Sequence, residues 1–239
     1  MRIAIDAMGG DNAPGIVIDG AVDAARDNGF EIVLVGDKDA IEKELARHRP
    51  YPANIKVHHA SETIEMHESP AISIRKKKDS SINVMVHLAK ENQVDAIVSA
   101  GNTGAVVCAA TLGMRTIEGV ERPGIAVVIP TLKEPTLLID VGANIDAKPK
   151  HLLQYGIMGH VYSKYILGKK NPRIGLLNIG EEESKGTEFV KETYKLLEQS
   201  PLNFIGNSEG RDIFTGKCDV TLCDGFIGNV VLKVSESLA

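Results

Sequence analysis

Tryptophan is absent from this chain of 239 residues, and the aromatic complement is five phenylalanines and five tyrosines. A core must therefore be built mainly from Val, Ile, Leu and Ala, the side chains that fill parallel sheets and the helices covering them. Cysteine is scarce and odd in number: Cys108, Cys218 and Cys223 cannot all pair internally, which fits reduced thiols and argues against a disulfide scaffold. Positive charge is in deficit, with 27 Lys and Arg against 32 Asp and Glu and a net charge of −5, so the basic excess behind nonspecific nucleic-acid binding is missing. No nucleic-acid partner is expected, and any anion site must be local. Long apolar runs are lacking too. The stretches at 105–112 and 125–130 fall far short of the ~20 residues needed to span a bilayer. The N-terminus enters an apolar run directly, without a charged and then apolar leader, so residence in the cytoplasm is expected. The 23 glycines and 10 prolines follow no triplet period, which excludes collagen, and 43% hydrophobic with 25% charged residues excludes a disordered chain.

What is present is an alternation of short β-branched runs with longer segments of helical period, the pattern of parallel strands joined by crossover helices. Strands are predicted at 3–6, 32–35, 96–99, 125–129, 137–140, 174–178, 204–205 and 220–222. Helices are predicted at 16–27, 38–47, 82–92, 103–113, 150–167 and 187–199, with one more opening near Phe226. Residues 49–78, with Pro50, Pro52, Pro70 and a basic run, read as loops and short pieces. No linker divides the chain, so 1–239 is expected to be a single α/β domain. The helix over 230–239 ends without Gly, Asn or Pro, which suggests that a C-terminal segment is missing.

In open parallel sheets ligands bind beyond the carboxyl ends of the strands. Six predicted strand ends here carry Gly together with polar residues: Asp6-Ala-Met-Gly9-Gly10-Asp11, Ser99-Ala-Gly101-Asn102-Thr103-Gly104, Asp140-Val-Gly142-Ala-Asn144, Asn178-Ile-Gly180-Glu-Glu-Glu-Ser-Lys185-Gly186-Thr187, Gly206-Asn-Ser208-Glu-Gly210-Arg211-Asp212 and Asp224-Gly-Phe-Ile-Gly-Asn229. Any one such loop is accounted for by the needs of a turn. Six together favour a shared polar cleft, with backbone N–H groups placed for an anion at helix starts.

Known fingerprints fail at these loops. Asp-Ala-Met-Gly-Gly-Asp is not the dinucleotide-binding glycine pattern, and Gly180 to Thr187 puts Lys185 before Gly186, the reverse of a P-loop, with three glutamates that would repel a triphosphate. Gly206-Asn-Ser208-Glu-Gly210 matches the nucleophile elbow of α/β-hydrolases, the sharpest alternative. All seven histidines precede Ser208, however, whereas that fold places its catalytic histidine after the serine. His58, His59 and His67, or Cys218 with Cys223, lack a second cluster at ligand spacing, so no metal is expected. Arg75-Lys-Lys-Lys78 is a basic run in an acidic chain, either a solvated face or a dock for an acidic partner or an anionic membrane.

Taken in order, these strand-end motifs, with Met66-His-Glu-Ser-Pro70, Arg122-Pro-Gly124 and Glu209-Gly-Arg-Asp212, make the whole chain resemble the bacterial acyl-acyl carrier protein:phosphate acyltransferases of phospholipid synthesis. The resemblance implies a three-layer α/β/α sandwich of the isocitrate and isopropylmalate dehydrogenase type with a mostly parallel sheet, usually dimeric, and a longer full-length chain. It implies transfer of a long-chain acyl group from acyl carrier protein to inorganic phosphate without a cofactor, the acyl phosphate passing to a downstream membrane acyltransferase. Peripheral attachment to the membrane is also implied. Phosphate is already an anionic nucleophile and a thiolate a good leaving group, so such chemistry needs positioning and oxyanion stabilisation rather than a protein nucleophile. Within that resemblance Lys185 is expected to bind phosphate or stabilise charge and Asn229 to donate to the oxyanion. Gly9, Gly10, Asn102, Thr103 and Gly104 would line the phosphate site, with Asp6, Asn144 and Arg211 shaping the cleft. The carrier is strongly acidic in this family, so docking needs a local positive patch, and the run at 75–78 is one candidate.

Overall fold

The computed structural model describes residues 1–238, and the last residue of the expected terminal helix, Ala239, lies outside the described residues. The chain divides into two compact units, Met1–Thr116 and Ile117–Ala239.

In the first unit β1 (Arg2–Asp6), β2 (Glu31–Gly36), β3 (Ile55–His59) and β4 (Ala96–Val98) form an all-parallel sheet in the order β3-β2-β1-β4. Alternation along the strands sends side chains to two opposite cores. On one face Leu34 and Ile32 pack with Ile18 and Val22 of α1 (Gly15–Asn28) and with Ile41 and Leu45 of α2 (Lys38–Leu45). On the other, Ala4 and Val35 pack with Ile74 of α3 (Pro70–Lys76), Ile82 and Met85 of α4 (Ser81–Lys90), and Ala105 and Ala109 of α5 (Thr103–Met114). Full burial of each Ile or Leu contributes about 1.5–3 kcal/mol, and the absence of Trp is offset by the number of such residues. Asp37, Ser80 and Asn102 cap α2, α4 and α5 by accepting from backbone N–H groups of the first turn.

The second unit holds β5 (Ala126–Ile129), β6 (Thr136–Ile139), β7 (Ile174–Leu177), β8 (Phe204–Ser208) and β9 (Val220–Leu222) in the order β5-β6-β9-β7-β8. Every pairing is parallel except the β5–β6 hairpin. Leu137, Ile139, Val220 and Leu222 pack under Leu152 and Tyr155 of α6 (Pro149–Tyr165) and Leu197 of α7 (Glu188–Glu198). Leu138 and Ile129 face Ile213 of α8 (Asp212–Thr215) and Val231 and Leu232 of α9 (Gly225–Leu238). Each unit is thus a sheet between two helical layers, the expected α/β/α arrangement.

The region read as irregular contains two elements, β3 and α3. Pro70 opens α3 rather than interrupting it, because its missing N–H falls at the first helical position, where no intrahelical partner exists. β3 lies at the sheet edge with Lys56, His58 and His59 exposed, so its apolar alternation is weak.

Candidate active site

Loops that follow neighbouring parallel strands emerge side by side, about 5 Å apart, at one edge of the sheet. In the first unit these are the loops after β1 and β4. Asp6, 2% exposed, ends β1 and accepts from the Ser99 hydroxyl at 2.7 Å and the Met8 amide at 3.1 Å, while Ser99 Oγ accepts from the Gly101 amide at 3.0 Å. Gly9 closes over this pair: a Cβ there would lie 2.5 Å from Asp6 Oδ2 and 2.8 Å from the Gly101 nitrogen. Gly10 follows at φ +104°, and Thr103 and Gly104 sit exposed in the first turn of α5.

Asn102, expected to line the phosphate site, uses its side chain to join two segments of the unit. Its Oδ1 accepts from the Ala105 amide at 3.0 Å, and its Nδ2 points into the carbonyls of Glu65, Met66 and Glu68 at 3.2, 3.2 and 3.1 Å. The side chain is a clamp between the start of α5 and the 65–68 loop. That loop is held further by Glu68, which pairs with Lys77 and accepts from Ser73 at 2.6 Å. Lys77, then Ser73 and the Glu65 amide, pull the Glu68 carboxyl from its ordinary 4.5 down to about 2.

In the second unit four consecutive strands, β6, β9, β7 and β8, carry the expected residues in the loops after them. Asp140, fully buried, organises the first loop: its carboxylate accepts from the backbone amides of Ile125, Gly142, Ala143 and Asn144 at 3.0, 3.1, 2.9 and 2.8 Å. Asn144 Nδ2 donates to Asp140 at 3.2 Å, to the Pro123 carbonyl at 2.6 Å and to the Tyr155 hydroxyl at 2.8 Å, and its Oδ1 accepts from exposed Arg122 at 3.4 Å. Burial, with Asp140 nearby, pushes the Tyr155 phenol upward, so it stays protonated. Asn144 therefore builds the loop and orients Arg122.

The loop after β9 starts α9, where Asp224 accepts from the Phe226 and Ile227 amides at 2.9 and 3.0 Å. Gly228 permits direct contact with the Asp140 loop, since a Cβ there would lie 1.8 Å from the Asp140 carbonyl oxygen. One residue on, Asn229 is exposed beside Gly142, and a Cβ built on Gly142 would lie 3.7 Å from Asn229 Nδ2. The Asn229 carboxamide has no hydrogen-bond partner among the described residues.

Beyond β7, Lys185 is exposed and lays its aliphatic stem near Gly180, 3.2 Å from a Cβ built there. Glu182 also approaches Gly180, 2.8 Å from the same Cβ. Glu181 pairs with Lys217 at 2.6 Å, Glu183 accepts from the Tyr194 hydroxyl at 3.2 Å, and Lys185 enters no ion pair among the described residues. Glu181 accordingly holds Lys217 above its usual range. Beyond β8, Arg211 pairs with Glu209 at 3.3 Å and stays 72% exposed. The hydrolase elbow is not formed: Ser208 is fully buried at the end of β8, with no histidine hydrogen-bonded to it among the described residues. No group of three or more His, Cys, Asp or Glu gathers as a metal site among the described residues.

Of the groups expected beyond the strand ends, Lys185 lies in the loop after β7, whereas Thr103 and Gly104 open α5 and Asn229 lies in the second turn of α9, all four exposed. Sequence reasoning gave no role to Asp140, Ser99, Tyr155 or Arg122. For Asp140 a signal existed, because Asp followed two residues later by Gly is a local side-chain turn pattern.

A family model described as "Fatty acid synthesis protein" matches residues 1–239. Phosphate acyltransferase of Trichlorobacter lovleyi is 53% identical over 239 residues, covering 100% of this chain and 69% of its own. That of Geobacter sulfurreducens is 51% identical with the same coverage. Among solved structures, a phosphotransacetylase from Streptococcus pyogenes aligns with a TM-score of 0.71 at 17% identity, over 100% of this chain and 82% of its own. A 4-hydroxythreonine-4-phosphate dehydrogenase from Burkholderia phymatum aligns at 0.53 and 16% identity, over 98% and 83%. These two likenesses show the fold, a dehydrogenase-like α/β architecture. The family match and the identities over the full chain show more: this chain belongs to the phosphate acyltransferase family.

Proposed function

We propose that this chain moves a long-chain fatty acyl group from the thioester of acyl carrier protein to inorganic phosphate. A phosphate oxygen attacks the thioester carbonyl carbon, a tetrahedral oxyanion forms, the C–S bond breaks, and the carrier thiolate leaves and takes up a proton. The observation that carries this reading is an ammonium, Lys185, in the loop after β7 and an amide, Asn229, near the start of the helix after the adjacent strand β9, both without a side-chain partner and without a nucleophile–base pair beside them among the described residues. Lys185 binds phosphate or offsets developing charge, and Asn229 donates to the oxyanion. In the first unit taken by itself, the exposed start of α5 at Thr103 and Gly104, with the Gly9-Gly10 turn, offers backbone N–H groups suited to an anion. Asp6, Asn102 and Asn144 act by holding loops in place, and Arg122 and Arg211 supply further cations.

The same reading makes the protein a cytoplasmic homodimer, attached peripherally to the membrane, whose acyl phosphate is consumed by a membrane acyltransferase of phospholipid synthesis. Phe226, Val230 and Val234 support an association of this kind, forming an exposed apolar stripe at helical spacing along α9. No described helix is long and apolar enough to cross a membrane.

The test is incubation with long-chain acyl carrier protein, with and without phosphate, following free thiol and acyl phosphate. Both products should appear only with phosphate. Lys185→Ala should lower turnover ~100-fold or more, as loss of a transition-state charge stabiliser does. Release of free fatty acid without phosphate would replace the reading by hydrolysis, and an unchanged rate in Lys185→Ala would remove that residue from the mechanism.

A further inference from the structure

The basic run at 75–78 does not act as one patch. Lys77 turns inward, donating to the Thr63 carbonyl at 2.6 Å and pairing with Glu68, and so belongs to the loop clamp described above. Arg75 and Lys78 point outward, and the structure gives them companions from another helix. Together with His87 and Lys90 of α4 they surround a cleft of about 240 Å³ whose apolar wall includes Val86 and Leu112. No carboxylate lines this cleft, and none of the four basic side chains enters an ion pair among the described residues.

The arrangement is built by packing. Asn83 Nδ2 donates to the carbonyls of Ile74 and Lys77 at 3.0 and 2.7 Å, which ties the end of α3 to α4. On α4 Asn83, His87 and Lys90 share one face at i, i+4 and i+7. The close approach of α5 forms the remaining wall, since a Cβ at Gly113 would lie 2.5 Å from Val86 Cγ1. Basic residues at the ends of α3 and α4 complement their helix dipoles, which accounts for one or two such side chains. It does not account for four converging without a counter-charge around an indented, partly apolar surface, on a chain whose net charge is −5.

We infer that this cleft is the docking surface for the acyl carrier, and that the partner element is an acidic amphipathic helix whose carboxylates face Arg75, Lys78, His87 and Lys90 while an apolar side chain enters beside Leu112. The inference rests on the donor proposed above. Charge complementarity selects an acidic partner, and the concave, half-apolar shape selects a protein helix over a lipid surface, which meets flat or protruding apolar groups.

Two measurements on the full chain test it. Binding of a fluorescently labelled acyl carrier protein is followed by anisotropy, independently of turnover, and Michaelis constants are compared for the carrier-borne thioester and a small acyl-pantetheine thioester. In Lys78→Glu/Lys90→Glu, carrier binding should weaken by about tenfold or more at low salt and the gap should close near ~0.5 M salt, while the small thioester reacts as before. Leu112→Ala should weaken carrier binding by a factor that salt does not change. Unchanged carrier binding in the double variant at low salt would overturn the assignment, as would an equal loss with the small thioester. Loss of binding to vesicles rich in anionic lipid, with carrier binding intact, would make the cleft a membrane contact instead. If the parent chain binds carrier but transfers nothing to phosphate, the functional reading fails and the docking surface stands.

Discussion

Replacing Gly228 by alanine puts a methyl group 1.8 Å from the Asp140 carbonyl oxygen and 2.9 Å from Cys223 Sγ. Carbon and oxygen need about 3.3 Å, so the start of α9 must lift by roughly 1.5 Å or the Asp140 loop must yield. The loop resists, because five N–H donors converge on the buried Asp140 carboxylate. Overpacking of this kind costs about 1–3 kcal/mol, and a clash with backbone belongs at the upper end. At about 3 kcal/mol the melting temperature falls by about 6–12 °C. Lifting α9 also carries Asn229 away from Gly142, and with the oxyanion role proposed for Asn229 a displacement near 1 Å should lower turnover by ~100-fold. The assays are a thermal melt by circular dichroism and phosphate-dependent thiol release. Gly29→Ala is the comparison: Gly29 is left-handed at φ +64° with nothing within 4 Å, so alanine there costs about 1 kcal/mol and leaves turnover alone. A Gly228→Ala chain with the parent melt and the parent rate would refute the reasoning.

The Asn102 clamp predicts that Asn102→Asp keeps the helix cap but loses the donors to the 65–68 carbonyls, whereas Asn102→Ala loses both. Differential scanning calorimetry should order them parent, Asp, Ala, with alanine about 2 kcal/mol or more below the parent. Glu68 has its carboxyl lowered to about 2. Its contribution to stability is complete above its unfolded value near 4.5 and is lost as pH falls through about 2, so Glu68→Gln should flatten that part of an acid titration followed by circular dichroism. Burial pushes the Cys218 and Cys223 thiols upward, while Cys108 is half-buried. A thiol reagent should therefore titrate Cys108 first in the native chain and the other two only on unfolding; fast labelling at Cys223 would contradict its burial.

The alternation of strands and helices was legible because continuous apolar strands and amphipathic helices differ in period over enough residues to register. β6, Thr136 to Ile139, is buried at every position and reads as such. β3 was not legible, since an edge strand with three exposed polar residues carries little period. Among the candidate site residues, Lys185 and Asn229 stood out as polar groups beside glycines. Asn102 and Asn144 looked the same in the sequence, yet their amides hold carbonyls at 65–68 and at 123. Partners more than twenty residues away leave no local trace, so a binding amide and a structural one have the same signature.

The Asp140 carboxylate ties together amides that the chain places in separate segments: Ile125 at the entrance to β5, and Gly142, Ala143 and Asn144 after β6. None of these four can detach while the carboxylate keeps its position without leaving a charge short of donors. Solvent exchange at them is therefore governed by one shared opening event, and a deuterium-uptake experiment would see four amides in two segments behave as a single kinetic unit.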